Sequence, residues 1–133
     1  MSGRIVHFEI PFDDEARARA FYSELFGWDL QSFEGMDYTI VSTGPTGDQG
    51  PTESGFINGG MAQRSENFAA PTVVVDVDDI ESALADVEAK GGTIVSGKSP
   101  VGDMGWSAYF RDPEGNTVIL HRRYAPRTRG GQR

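Results

Sequence analysis

Residues 5–12, Ile-Val-His-Phe-Glu-Ile-Pro-Phe, place Val6, Phe8, Ile10 and Phe12 on one face and His7 and Glu9 on the other. A period of two is the pattern of a half-buried strand. The period changes after Asp13-Asp14, a pair suited to capping a helix. From there Ala18, Phe21, Tyr22, Leu25 and Phe26 recur at three- and four-residue spacings, the stripe of an amphipathic helix ending near Phe26. Gly27 suits the left-handed position that stops such a helix. Strands are expected at Trp28–Phe33 and Asp37–Ser42. A loop is expected over Thr43–Ser54, where Gly, Pro, Thr and Ser dominate, and a short strand near Gly55–Met61.

The pattern then repeats. Thr72–Val77 aligns Val73, Val75 and Val77 on one face. Asp78-Asp79 caps a helix in which Ile80, Ala83, Leu84 and Val87 fit the helical template, and Gly91-Gly92 ends it. Strands are expected at Thr93–Ser96, Trp106–Phe110 and Asn116–His121, with Asp112-Pro113-Glu114-Gly115 as the turn between the last two. A shift of 65 residues superposes Phe8, Ile10 and Phe12 on Val73, Val75 and Val77. It also superposes Asp13-Asp14 on Asp78-Asp79, Ala18 on Ala83, and Gly27 on Gly92. The joint match predicts a duplicated βαβββ unit. The fold class expected is α+β: two tandem βαβββ modules, about 4–62 and about 71–122, forming a cupped mixed sheet in one domain of 1–133. Phe8, Ile10, Phe21, Leu25, Val75, Leu84, Val118 and Leu120 are the expected core.

Composition narrows the function classes. At 38% hydrophobic and 24% charged the chain reads as globular. No apolar run is long enough for a membrane span, and the opening residues lack the apolar region of a signal peptide. With 0 Cys there is no disulfide framework and no thiol chemistry, and the cytoplasm is the expected compartment. The net charge of −8 is uneven: Arg122, Arg123, Arg127, Arg129 and Arg133 crowd the end, leaving 7 basic against 20 acidic groups before them. An acidic body disfavours nucleic acid and favours a cationic or aromatic small molecule. The Arg-rich segment 123–133 reads as a solvated tail.

The opening His7-Phe8-Glu9-Ile10-Pro11 and the helix end from Ala20-Phe21-Tyr22 to Phe26-Gly27-Trp28 resemble the vicinal-oxygen-chelate superfamily. So do Val77-Asp78-Asp79-Ile80 and the stretch from Gly91-Gly92 through Gly105-Trp106 to Asp112-Pro113-Glu114-Gly115-Asn116. That superfamily holds glyoxalase I, extradiol dioxygenases, fosfomycin-resistance transferases and bleomycin-resistance proteins; this chain is most similar to its small bacterial glyoxalase-like members. Its metal enzymes place ligands on the first and last strands of the modules. His7 matches one such position. The resemblance puts Thr72 and Ile119 at two others, a neutral hydroxyl and a side chain with no donor, so the inherited metal site is broken. No cofactor is expected. If a metal is held, a rearranged set of His7, Glu9 and His121 is the candidate.

Together these readings predict a small-molecule ligand in a cup between the modules. His7 and Glu9 are the candidate acid and base, and Tyr38, Asn58, Thr72, Trp106, Tyr109, Ile119 and His121 the candidate ligand-binding residues. The alternative is a lyase, isomerase or dioxygenase of the same superfamily with a rearranged site, acting on a small carbonyl or aromatic compound. Gly59-Gly60 reads as a strand end, Lys98 as loop surface, and a homodimer is expected, with no nucleic-acid or membrane partner.

Overall fold

The computed structural model describes residues 3–32, 37–101 and 105–122. The expected strand end at Phe33, most of the loop at Gly102–Gly105 and the segment 123–133 lie outside the described residues. The chain divides into two compact units, one spanning Ile5–Val74 and one starting at Val75 that also includes Gly3 and Arg4.

In the first unit, β1 (Ile5–Phe12) leads into α1 (Glu15–Phe26), then β2 (Asp29–Ser32), β3 (Tyr38–Ser42), a small hairpin of β4 (Thr46–Gly47) and β5 (Gly50–Pro51), and β6 (Asn58–Gln63). The strand order is β2-β3-β6-β1. β6 runs parallel to β1, with Glu9 opposite Gly60, and antiparallel to β3, with Tyr38 opposite Ala62. Asp14 caps α1 by accepting from the Arg17 amide at 3.1 Å. Gly27, at φ 72°, closes it and donates its amide to the Ser23 carbonyl at 2.9 Å. A buried Thr39 hydroxyl donates to Glu15 Oε2 at 2.7 Å and ties helix to sheet.

The helix turns a different face to the sheet from the one expected. Ala18 and Tyr22 pack on the core of Phe12, Val41 and Met61, together with Phe8, Ile10, Trp28 and Leu30. Phe21, Leu25 and Phe26 are 57%, 56% and 58% exposed, which corrects the expected burial of Phe21 and Leu25. The apolar arc from Phe21 to Phe26 is wider than one sheet can cover. The parallel stack of Tyr22 on Trp28, with ring centroids 5.1 Å apart, holds the Tyr22 side against the sheet.

β7 (Thr72–Asp76) carries the chain into the second unit, which continues with α2 (Ile80–Ala89), β8 (Thr93–Pro100), β9 (Trp106–Arg111) and β10 (Thr117–Arg122). Its order is β7-β10-β9-β8, and β8, β9 and β10 pair antiparallel. The helices begin at Glu15 and Ile80, the 65-residue offset read from the sequence. Asp79 caps α2 by accepting from the Ser82 amide, as Asp14 does in α1. The core is Ile80, Leu84, Ala108 and Leu120, backed by Val75, Val77, Ile94, Trp106 and Phe110. β8 extends past the expected Ser96, so Lys98 lies on a strand rather than in a loop; its ammonium stands 4.7 Å over the Trp106 ring. Among the described residues no helix is long and apolar enough to cross a membrane.

Candidate functional site

The period of two that buries Phe8, Ile10 and Phe12 against α1 forces His7 and Glu9 onto the opposite face of β1. The register extends that face across two more strands. Asn58 stands beside His7, Gly60 beside Glu9, and Ile40 beside Gly60, so Tyr38 of β3 shares it. The Tyr38 ring reaches across β6 and its hydroxyl donates to Glu9 Oε2 at 2.8 Å. That path exists because residue 60 has no side chain: a Cβ there would stand 1.7 Å from the Tyr38 hydroxyl oxygen and 2.1 Å from its ring carbon Cζ. Gly59 and Gly60 are therefore buried interior residues of β6 and not the strand end expected.

His7 Nδ1 stands 3.9 Å from the same Oε2, beyond hydrogen-bond range but close enough for charge to be felt. The two side chains differ in access, His7 at 41% exposure and Glu9 at 13%. Glu9 Oε1 has no hydrogen-bond partner among the described residues. With only 13% of the Glu9 side chain exposed, a donor reaching Oε1 would meet the carboxylate in a poorly solvated setting.

Asn58 is committed differently. Its Oδ1 accepts from the Thr43 amide at 2.9 Å and its Nδ2 donates to the Thr46 hydroxyl at 2.8 Å, so it clamps the β3–β4 connection. Thr72 lines an open groove of about 520 Å³ with Phe8, Ile10, Trp28, Thr43, Ile57, Pro71 and Val73.

In the second unit Tyr109, Ile119 and His121 share one face, Ile119 being buried opposite Tyr109. Trp106 lies on the other face, packed on the Ile80–Leu84 core. The structure thus brings together His7, Glu9, Tyr38 and Asn58 in one unit, and Tyr109, Ile119 and His121 in the other. It separates Trp106 from these faces. Gly60 is the site residue that sequence reasoning missed; its signal was a glycine opposite an acid, legible only once the pairing of β1 with β6 is known.

The donor set does not fit the metal that the fold family implies. Ile119 is buried and has no donor atom, Thr72 offers a neutral hydroxyl, and Oε2 of Glu9 is already engaged by Tyr38. No group of three or more His, Asp or Glu among the described residues is arranged to hold a metal ion.

Comparison with known proteins agrees with this architecture. The family described as bleomycin resistance protein-like N-terminal matches residues 4–44. A glyoxylase-like domain-containing protein of Didymella fabae is 29% identical over 123 residues, covering 90% of this chain and 94% of the relative. A hypothetical protein from Bacillus halodurans has a similar structure, with TM-score 0.64 and 13% identity over 97% of this chain and all of that one. Streptomyces coelicolor methylmalonyl-CoA epimerase in complex with 2-nitronate-propionyl-CoA has TM-score 0.64 and 15% identity over 94% of this chain and 100% of that one. At these identities the structural likeness is one of fold. The likeness to the solved structures shows an α+β glyoxalase/bleomycin-resistance fold.

Proposed function

We propose that this chain, built on the glyoxalase/bleomycin-resistance fold, binds a small cationic molecule without a resident metal, on the sheet face that carries His7, Glu9 and Tyr38. One observation carries the reading: Glu9 is a carboxylate of 13% exposure whose Oε2 is engaged by Tyr38 and whose Oε1 has no partner among the described residues. Such a group is poised to receive a charged donor. The net charge of −8 adds a long-range attraction for cations, and the Tyr38 ring beside the carboxylate supplies a surface for an aromatic or cationic group.

A second reading keeps the same residues and adds chemistry. His7 Nδ1 at 3.9 Å from Glu9 places an acid–base pair where a small carbonyl compound could lose and regain a proton, as in a lyase or isomerase with a rearranged site.

The test is calorimetric titration with benzylammonium, alongside turnover assays with 2-hydroxyacetophenone, whose α C–H proton can be lost and regained, on wild type, Glu9→Gln and His7→Ala. Binding that weakens at least about ten-fold in Glu9→Gln, with no turnover, supports the binding reading. Turnover lost in His7→Ala supports the second. No binding by the wild type overturns the first. The protein dialysed against Zn²⁺, Ni²⁺, Mn²⁺ or Fe²⁺ should retain far less than one ion per chain by elemental analysis; about one tightly held ion, lost in His7→Ala, contradicts the metal-free part.

A further inference from the structure

We infer that Tyr38 is a positioning residue that restricts Glu9 to a single ligand-facing oxygen, and that this restriction selects ammonium-type cations over amidinium and guanidinium cations. The inference rests on the binding reading above and specifies its ligand class.

The argument begins with the two oxygens of Glu9. Oε2 accepts the Tyr38 hydroxyl at 2.8 Å and has the His7 imidazole nitrogen 3.9 Å away. Two protein groups therefore stand on that side of the carboxylate. Oε1 has no hydrogen-bond partner among the described residues, and the side chain is only 13% exposed. A planar amidinium or guanidinium gains most from a carboxylate by pairing two parallel N–H groups with both oxygens. Here that fork would have to displace the Tyr38 hydroxyl or share its oxygen. An ammonium is a compact charge whose donors rotate freely, so it needs one oxygen and loses nothing to the arrangement.

The position of Tyr38 is enforced by the sheet. It is paired with Ala62 on β6, and its ring passes over Gly60 to reach β1. The ring atoms Cζ and Cε1 would lie 2.1 and 2.6 Å from a Cβ at residue 60, so any other residue there displaces the ring and releases Oε2. Gly60 is therefore part of the selectivity device although it touches no ligand.

The experiment compares benzylammonium with benzamidinium by titration calorimetry on wild type, Tyr38→Phe and Gly60→Ala, with circular dichroism confirming that each variant is folded. Wild type should bind benzylammonium about five-fold or more tighter than benzamidinium. Tyr38→Phe keeps the ring and frees Oε2, so the preference should fall to about unity or reverse, chiefly through tighter amidinium binding. Gly60→Ala should move the ratio the same way by displacing the ring. A general loss of structure would weaken both cations and leave the ratio unchanged, so the ratio separates positioning from damage. Equal binding of both cations by wild type, or an unchanged ratio in folded Tyr38→Phe, overturns this inference alone. Absence of binding by either cation overturns the binding reading and this inference with it.

Discussion

Replacing Leu84 and Phe21 by alanine, separately, tests the packing of both helices in one experiment. Leu84 is 7% exposed and sits among Ile80, Ala108 and Leu120. Truncation removes roughly three methylene equivalents of buried surface, about 2.4 kcal/mol at about 0.8 kcal/mol each. The neighbours belong to a strand pair and to the helix itself and cannot collapse fully, so a cavity term adds to this and the total should fall at about 2.5–5 kcal/mol. Phe21 is 57% exposed and packs edge-on to Tyr22 with ring centroids 5.2 Å apart. Its truncation loses part of that contact and gains helix propensity, so the cost should stay below about 1 kcal/mol. Urea unfolding at fixed temperature reads both, with the midpoint of Leu84→Ala dropping by about 1–2 M and that of Phe21→Ala moving little. If Phe21→Ala costs as much as Leu84→Ala, the rotation assigned to α1 is wrong. If Leu84→Ala costs less than about 1 kcal/mol, the core assigned to α2 is wrong.

Gly59→Ala should destabilise the fold more than Gly60→Ala, because its Cβ would stand 2.4 Å from the Phe8 carbonyl oxygen, a backbone atom that cannot swing aside as the Tyr38 ring can; chemical melts of the two variants compare them directly. Asp112 is held below its ordinary value of 3.8 by the Asn116 side chain first and by turn amides next, and Asp79 by the Ser82 amide first, opposed by desolvation. Depressed carboxyl values stabilise the fold fully above about 3.8 and lose that contribution as pH falls through the lowered values. Melts from about pH 5 to about pH 2 should therefore show a steeper loss of stability in wild type than in Asp112→Asn; equal slopes would contradict the role of the turn. We expect a homodimer, with light scattering giving about twice the chain mass of 14.5 kDa; a clean monomer that still binds benzylammonium would show that pairing is not needed for the site.

The sequence by itself determined the repeat, the two helices with their N-terminal caps and most of the strands, because each is written in local patterns; the β4–β5 hairpin inside the expected loop Thr43–Ser54 and the extension of β8 through Lys98 were not. A period of two in residues 5–12 separates His7 and Glu9 from Phe8 and Ile10 without any knowledge of neighbours. Asp14 and Asp79 bond amides only three residues ahead, and Gly27 answers a backbone need at its own position. What tertiary structure decided is what depends on pairing and rotation. The arc of apolar residues on α1 permits several orientations, and the stack of Tyr22 on Trp28 sets the one that leaves Phe21, Leu25 and Phe26 outward. Trp106 could serve either face of β9 until its register with β10 places it beside Ala108 and Phe110 on the core side. The site is the clearest case: Glu9 and Tyr38 are 29 residues apart in sequence, and their hydrogen bond exists only because β6 lies between β1 and β3 and presents a glycine where the ring must cross. Periodicity marks which side chains share a face, but the partner strand and its register are non-local choices, made by the packing of the whole unit.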